Sequence, residues 1–482
     1  MNVLNLAKDK SMENVYFIGI GGIGMSAIAR YYKNAGYNVS GYDKTPAKLT
    51  TALEAEGITI HYTDDISFIP QDIDHTLVIY TPAIPEDMGE LVHVKQNGYR
   101  CIKRSLTLGE IASTQQCLAI AGTHGKTTTS TLLAHIYTHS EVGCSAFLGG
   151  ISKNYHTNLL LDKNPVLVAE ADEFDRSFLQ LYPEIAAITS TDADHLDIYG
   201  DTATIREAFA EFAGQIKPSG YLVMKKDIPL SLEGVKAAVF TYSFTSQADF
   251  YPTDVEILQG GYFKFNLNYP QFAIAGTDKM VKAGVIENCI MGVPGWINAD
   301  NAIAASACAL LGGVEPEKIK NALAAFSGVE RRMDMHVNTP EIAYIDDYAH
   351  HPKELSSAIG SIRNIFPGRK ICGIFQPHLY TRTRDFAEGF AESLSMLDQL
   401  VLLDIYPARE LPIEGVSSKI IFDKVTVANK IQLKKEDVLD FLQKSENLDI
   451  VVTFGAGDID RLIVPIREML QKKYNICPNK GE

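Results

Sequence analysis

The 482-residue sequence has no C-x-x-C pair, no run of about 18 apolar residues and no surplus of basic side chains. Each absence removes a class of protein. The seven cysteines, at 101, 117, 144, 289, 308, 372 and 477, are odd in number and scattered, so neither a disulfide framework nor a thiolate zinc site is expected and a reducing cytosol suits them. Residues 1–14 are polar and lack the apolar core of a secretion signal; with no membrane-length run elsewhere, the expectation is a cytoplasmic protein without membrane insertion. The balance of 59 acidic against 44 basic residues gives a net charge of −15, a field that repels nucleic acid and anionic membranes. Any anionic ligand has to be captured by local groups. Solenoid-length repeats and low-complexity tracts are also missing.

What remains is ordinary globular material, 46% apolar and 21% charged, in a chain too long for one core, so two to four domains are expected. Short apolar runs at 15–20, 39–43 and 76–80 read as strands, with a glycine-rich turn and a helical stretch from 25 to 35 after the first. The first domain is expected to close near residue 112. A second strand, turn and helix begins at 117–120 and continues through 137, with further buried strands at 166–169 and 185–189. Between 240 and 275 the texture changes, and Gly260-Gly261 between alternating segments suggests an inserted hairpin. Helices are expected at 301–311 and 317–326. Residues 327–330 read as a linker into a third domain with strands at 343–345, 371–375, 400–403 and 450–454. Strands alternating with helices imply parallel sheets, whose ligands gather at the carboxyl ends of the strands.

The strongest local signal is Ala121-Gly122-Thr123-His124-Gly125-Lys126-Thr127-Thr128, placed between a strand and a helix. Small residues let backbone N–H groups close round phosphate oxygens, the lysine neutralises charge, and the next hydroxyl can hold Mg²⁺. The longer phosphate-loop pattern needs Gly where Ile120 stands. A solvated lysine on a glycine-rich turn is the bland alternative. Gly19-Ile20-Gly21-Gly22-Ile23-Gly24, with Asp43 about 20 residues further on, has the dinucleotide-binding spacing. Close helix–sheet packing without a ligand explains the same glycines. Glu170-Ala171-Asp172-Glu173 and Asp192-Ala193-Asp194-His195 each follow a buried strand, so carboxylates could converge on the loop as a Mg²⁺ site; a structural role for His195 is the rival reading. Asp346-Asp347-Tyr348-Ala349-His350-His351-Pro352 and Gln376-Pro377-His378-Leu379-Tyr380-Thr381-Arg382 follow two strands of the third domain, where strand ends can share a cleft or simply carry solvated loops. Arg331-Arg332 is either a surface pair or a fork for phosphate or carboxylate.

Taken in order, these motifs resemble the Mur ligases of bacterial peptidoglycan synthesis over nearly the whole chain, Gly-Val-Glu-Arg-Arg (328–332) and Phe-Gln-Pro-His-Leu-Tyr-Thr-Arg-Thr (375–383) included. The resemblance implies an α/β fold of three domains: Rossmann-like at 1–112 for a UDP-sugar, central and P-loop ATPase-like at 113–327 with a parallel sheet plus a small antiparallel insert, and Rossmann-like α/β at 328–482 for the amino acid and closure. It implies a shortened phosphate loop, which accounts for Ile120. The implied activity is ATP-dependent C–N ligation of L-alanine to the lactyl carboxylate of UDP-N-acetylmuramate through an acyl phosphate, in a monomer or homodimer.

By the same resemblance, Gly122, Thr123, His124, Gly125, Lys126, Thr127, Thr128, Asn298, Arg332 and Asp347 contact ATP. Thr127, Glu170 and His195 serve Mg²⁺. Gly19, Gly21, Gly22, Gly24, Asp43, Thr81, Ala83, His378 and Arg382 contact the substrates, and Lys126, Glu170, His195, His350 and Arg382 are the catalytic set. The chain departs from the family at Ile297, where His is common, and at Leu379, where Arg is common. Three rivals stand beside this reading: a ligase adding murein tripeptide to the same sugar nucleotide, an NAD(P)-dependent oxidoreductase built on the first glycine motif, and a nucleotide switch without ligase chemistry.

Overall fold

The computed structural model describes residues 12–192, 196–408 and 410–476. Short apolar runs that end in glycine or polar turns become buried parallel strands, with helices covering their faces. In the first sheet, β1 (Asn14–Ile18), β2 (Asn38–Tyr42), β3 (Thr59–His61), β4 (Thr76–Tyr80) and β5 (Arg100–Lys103) run parallel in the order β3-β2-β1-β4-β5. Strand order reverses between β1 and β4, which puts a ligand crevice at their carboxyl ends.

The second sheet contains β6 (Gln116–Ala121), β7 (Ser145–Ser152), β8 (Thr157–Leu160), β9 (Val166–Glu170), β10 (Ile185–Ile188), β11 (Tyr221–Lys225) and β12 (Ala238–Tyr242). Their order is β12-β11-β10-β6-β9-β7-β8, with only β8 antiparallel to its neighbour. In register, Ile120 lies opposite Glu170, and Ala121 opposite Ile188, so the segments that follow β6, β9 and β10 emerge side by side. The expected insert is present: β13 (Tyr251–Ile257), β14 (Phe263–Tyr269) and β17 (Gly284–Ile290) form a sheet in the order β13-β14-β17, beside the pair β15 (Phe272–Ala273) and β16 (Met280–Val281). In the last sheet, β18 (Asp334–Asn338), β19 (Ala343–Asp347), β20 (Ile371–Phe375), β21 (Gln399–Leu402), β22 (Asn429–Gln432) and β23 (Ile450–Phe454) take the order β18-β19-β23-β20-β21-β22, parallel except for β18 against β19.

The chain forms two compact units, the first holding described residues up to Glu256 with Lys264–Val293 and Ile297–Val329, the second holding Ile257–Phe263, Pro294–Trp296 and the described residues from Glu330 on. Within the first unit one apolar cluster runs through both parallel sheets, from Val15 and Tyr31 by way of Leu108 and Ile111 to Phe147 and Phe212. The Ile23–Asn34 helix is fastened to the second sheet by Asn158, whose Nδ2 donates to Ile23 O (2.6 Å) and Ser26 Oγ (2.9 Å). The second unit buries separate clusters on the two faces of its sheet.

Residues 327–330, read as a linker, contain the boundary between the two compact units, which falls between Val329 and Glu330. Val329 is 1% exposed and bridges antiparallel to Ser152, and Lys153 N–H donates to Gly328 O at 3.0 Å. A Ser-Gly stretch looks like loop by composition, but here the backbones of Gly328 and Val329 are engaged by residues at and just after the end of β7. Among the described residues no helix is long and apolar enough to cross a membrane.

Candidate active site

The loop after β6 turns on two glycines that no other residue replaces without strain. Gly122 has φ +131°, and a Cβ there would lie 2.1 Å from Thr189 Oγ1; Gly125 has φ +84° and caps the Lys126–His139 helix, with Asn301 Oδ1 2.8 Å from the space a Cβ would take. The helix amino terminus, with its unpaired N–H groups, is thereby opened to an anion. Lys126 in the first turn donates to Gly122 O (2.7 Å) and lies 2.8 Å and 2.7 Å from the two carboxylate oxygens of Glu173, which is fully buried. Burial works against the ammonium charge, but Glu173, Asp172 and Glu170 outweigh it and hold Lys126 above its ordinary value.

Beside it, Thr127 Oγ1 donates to Glu170 Oε1 (3.1 Å), while Glu170 Oε2 accepts from Gly149 N–H (3.1 Å). Ser190 Oγ accepts from His124 N–H (2.8 Å) and pairs with Thr123 Oγ1 (2.9 Å), and Thr123 Oγ1 in turn accepts from Asp192 N–H (3.2 Å). Thr128 follows in the same helical turn, partly exposed. The loop, Glu170–Glu173 and 189–192 therefore meet at the ends of three neighbouring strands. His195 and Asp194 lie outside the described residues. Thr127 and Glu170 offer oxygen donors only, the chemistry that suits a hard divalent cation which keeps waters and phosphate oxygens in its shell. Among the described residues no group of three or more His, Cys, Asp or Glu could hold a metal.

Asn298 is buried on the Trp296–Leu311 helix, and Asn301, one turn further on, is the residue set against Gly125. Asn301 did not figure among the expected site residues, and Glu173 figured only as one carboxylate of the acidic segment expected to converge on the loop. The i, i+3 spacing from Asn298 was the available signal for Asn301, whereas nothing in the sequence singles out Glu173 from its acidic neighbours as the partner of Lys126.

At the first glycine motif, a Cβ on Gly19 would lie 2.7 Å from Thr81 Cγ2, so the turns after β1 and β4 touch at the crevice. Ala83 is exposed in the second of these turns, and Gly22 caps the Ile23–Asn34 helix. Asp43 accepts from Gly21 N–H (2.8 Å), so it shapes the loop as well as facing the crevice end of β2. Arg104, also unforeseen, packs against Gly24 and reaches Asp172 Oδ2 at 3.4 Å, linking the glycine motif to the acidic segment after β9.

In the second unit, Asp347 at the end of β19 accepts from Met333 N–H (2.7 Å) and Ala349 N–H (2.8 Å), and burial raises its carboxyl against the pull of Arg332. Arg331 and Arg332 both stack over the Tyr348 ring, at 5.2 Å and 5.1 Å, and Arg331 is tied to the buried Asp346 at 3.0 Å. His350 and His378 bring their rings within 6.1 Å of each other, and His378 stacks on Tyr406 at 5.8 Å. Leu379 holds φ +70°, a left-handed conformation costly for a bulky residue, and accepts the Thr383 hydroxyl on its carbonyl (2.7 Å) at the start of the Tyr380–Asp385 helix that carries Arg382.

Sequence models of three families match in succession: the Mur ligase family catalytic domain over residues 14–116, the Mur ligase middle domain over 120–309, and the Mur ligase glutamate ligase domain over 331–457. The chain is 50% identical over 466 residues to a UDP-N-acetylmuramate–L-alanine ligase of Porphyromonas gingivalis, covering 95% of this chain and 99% of that protein. It is 44% identical over 471 residues to the protein of that name from Cytophaga hutchinsonii, covering 96% and 98%. The crystal structure of a UDP-N-acetylmuramate-alanine ligase from Thermotoga maritima superposes with TM-score 0.78 at 26% identity over 95% of this chain and 99% of that one. A murein peptide ligase from Psychrobacter arcticus shares the fold, with TM-score 0.68 at 21% identity over 95% and 98%. With its phosphate loop, its acidic partner segment and all three matched domains in one order, the chain belongs to the Mur ligase family.

Proposed function

We propose that this protein uses ATP to join L-alanine to the lactyl carboxylate of UDP-N-acetylmuramate in the cytoplasm, as a step in peptidoglycan precursor synthesis. The activation chemistry rests on one observation: the Gly122–Gly125 turn, Lys126 and the Thr127–Glu170 pair converge at the ends of adjacent strands. The choice of substrates is supported by full-length similarity to ligases that bear that name. Phosphoryl transfer asks a protein for positioning and charge neutralisation rather than covalent help. Lys126 takes the γ-phosphate as the carboxylate attacks it, giving ADP and an acyl phosphate. Thr127 and Glu170, joined by His195, hold Mg²⁺, which when bound neutralises charge on the phosphate oxygens. Asn298, Arg332 and Asp347 position ATP, and His378 and Arg382 orient the reacting groups. Gly19, Gly21, Gly22, Gly24, Asp43, Thr81 and Ala83 receive the sugar nucleotide. His350 accepts the proton that the amine loses. The division of labour follows the segments 1–112, 113–327 and 328–482.

The test is phosphate release from ATP by the purified chain with UDP-N-acetylmuramate and each amino acid or murein tripeptide in turn. L-Alanine is expected to give the largest stimulation. Release that L-alanine does not stimulate, or that the tripeptide stimulates more, overturns the substrate assignment.

A further inference from the structure

The Pro352–Ile365 helix begins with a capping box in which Glu354, at its third position, accepts from the backbone N–H of His351 at 3.2 Å and of His350 at 2.9 Å. Capping alone would account for a glutamate here. The same Oε2, however, stands 3.2 Å from His350 Nδ1, and Tyr348 O lies 3.0 Å from that nitrogen. A carbonyl and a carboxylate only accept hydrogen bonds, so Nδ1 carries the proton in the neutral ring and the lone pair is on Nε2. We propose that Glu354 is a positioning residue that, together with the Tyr348 carbonyl, holds His350 in the Nδ1–H form and offsets its charge, with Nε2 as the acceptor of the amine proton. This rests on the ligase reading above and adds to it the orienting group of the base.

The charged and titratable groups facing His350 come from each surrounding segment. Glu354 favours its protonation, Arg382 and Arg332 oppose it, and the rings of Tyr348 and His378 lie 5.2 Å and 6.1 Å away. Burial, with the two arginines, keeps the imidazole below its ordinary value and therefore neutral and able to accept at physiological pH. In the transfer step the amine lone pair forms the C–N bond at the acyl carbon, and the C–O bond to phosphate breaks with its electron pair on the departing phosphate. One N–H proton passes to Nε2, and the imidazolium, offset by Glu354, returns it to the phosphate, leaving the amide and hydrogen phosphate.

Glu354→Gln keeps an oxygen for the two capping N–H groups but removes the charge, so it separates the two roles. In ¹⁵N-histidine-labelled full-length protein, with His350 assigned by its loss in His350→Gln, the neutral ring is expected as the Nδ1–H tautomer. In Glu354→Gln the Tyr348 carbonyl still accepts from Nδ1, so the tautomer stays while the His350 titration moves down by about one pH unit, the size expected when an opposite charge is removed at this distance. The limb of the kcat/KM profile for L-alanine that His350→Gln abolishes should move down with it. An Nε2–H ring in the wild type, or an unchanged titration in Glu354→Gln, overturns the role of Glu354. A limb that survives His350→Gln overturns the base assignment, and L-alanine-stimulated phosphate release, read separately, decides the ligase reading itself.

Discussion

At the scale of single residues, the pair of Lys126 with buried Glu173 makes two contributions that mutation can separate. Lys126→Ala removes the cation expected on the γ-phosphate, and turnover should fall by about 10²–10³-fold or more, the size seen when one preorganised electrostatic group is lost. It also strands a buried carboxylate, a change that costs about 3–5 kcal/mol, so the melting temperature should fall. Lys126→Ala combined with Glu173→Gln should recover the melting temperature but not turnover, while calorimetric binding of UDP-N-acetylmuramate stays at the wild-type value in both. Turnover in the double variant would remove Lys126 from its role. The sequence pattern was enough to single out Lys126, because the loop's glycines and the flanking strand and helix demand a cation there. Its partner was not legible: Glu170, Asp172 and Glu173 are chemically alike in sequence, and only the backbone path after β9 decides which carboxylate points at the lysine and which at Thr127.

Among the elements, β1, β3 and the Gly89–Gln96 helix are joined by a buried polar knot. Tyr16 OH donates to Glu90 Oε2 (2.5 Å) and sits 2.7 Å from His61 Nε2, while Asp65 N–H donates to Glu90 Oε1 (3.1 Å). Burial pushes the Glu90 carboxyl up to about 7 despite these hydrogen bonds. A carboxyl that holds its proton more tightly when folded stabilises the fold at low pH, and that contribution is lost as pH rises from the unfolded value of about 4.5 through 7. The change amounts to about 3 kcal/mol. Glu90→Gln keeps an acceptor for Tyr16 and has no proton to lose. The variant should melt progressively higher than the wild type between pH 5 and pH 8, and a constant gap would show that Glu90 ionises without cost. None of this could be read beforehand, since His61, Glu90 and Tyr16 are far apart in sequence and each looks like ordinary surface or strand material. Strands β3, β5 and β22, of three or four residues and with no fully buried position, were likewise missed, because alternation over so few residues carries little signal.

For the whole molecule, the shared core of the first unit is what distinguishes it from two beads on a string. Leu108, Ile111 and Ala112, at the end of the first segment, are buried in the same cluster as Phe147 and Phe178. A fragment ending at residue 112 would leave those side chains and Tyr31 in water; it should bind a hydrophobic dye and lack a cooperative melt. A fragment ending at Val329 retains the cluster and should unfold in one transition. A cooperative melt of the shorter fragment would support the boundary at 112 as a true folding boundary. The sequence by itself determined the strand–turn–helix alternation, the phosphate loop, the order of the motifs and the family, because these depend on short-range spacing and on glycines that only one backbone path requires. Tertiary structure decided what depends on groups distant in sequence: that Val329 bridges to Ser152 at the end of β7, that Glu173 takes Lys126, and that Glu354 faces the imidazole of His350. Which carboxylate meets which cation is set by strand register and helix phase, and neither is written in the spacing of the residues themselves.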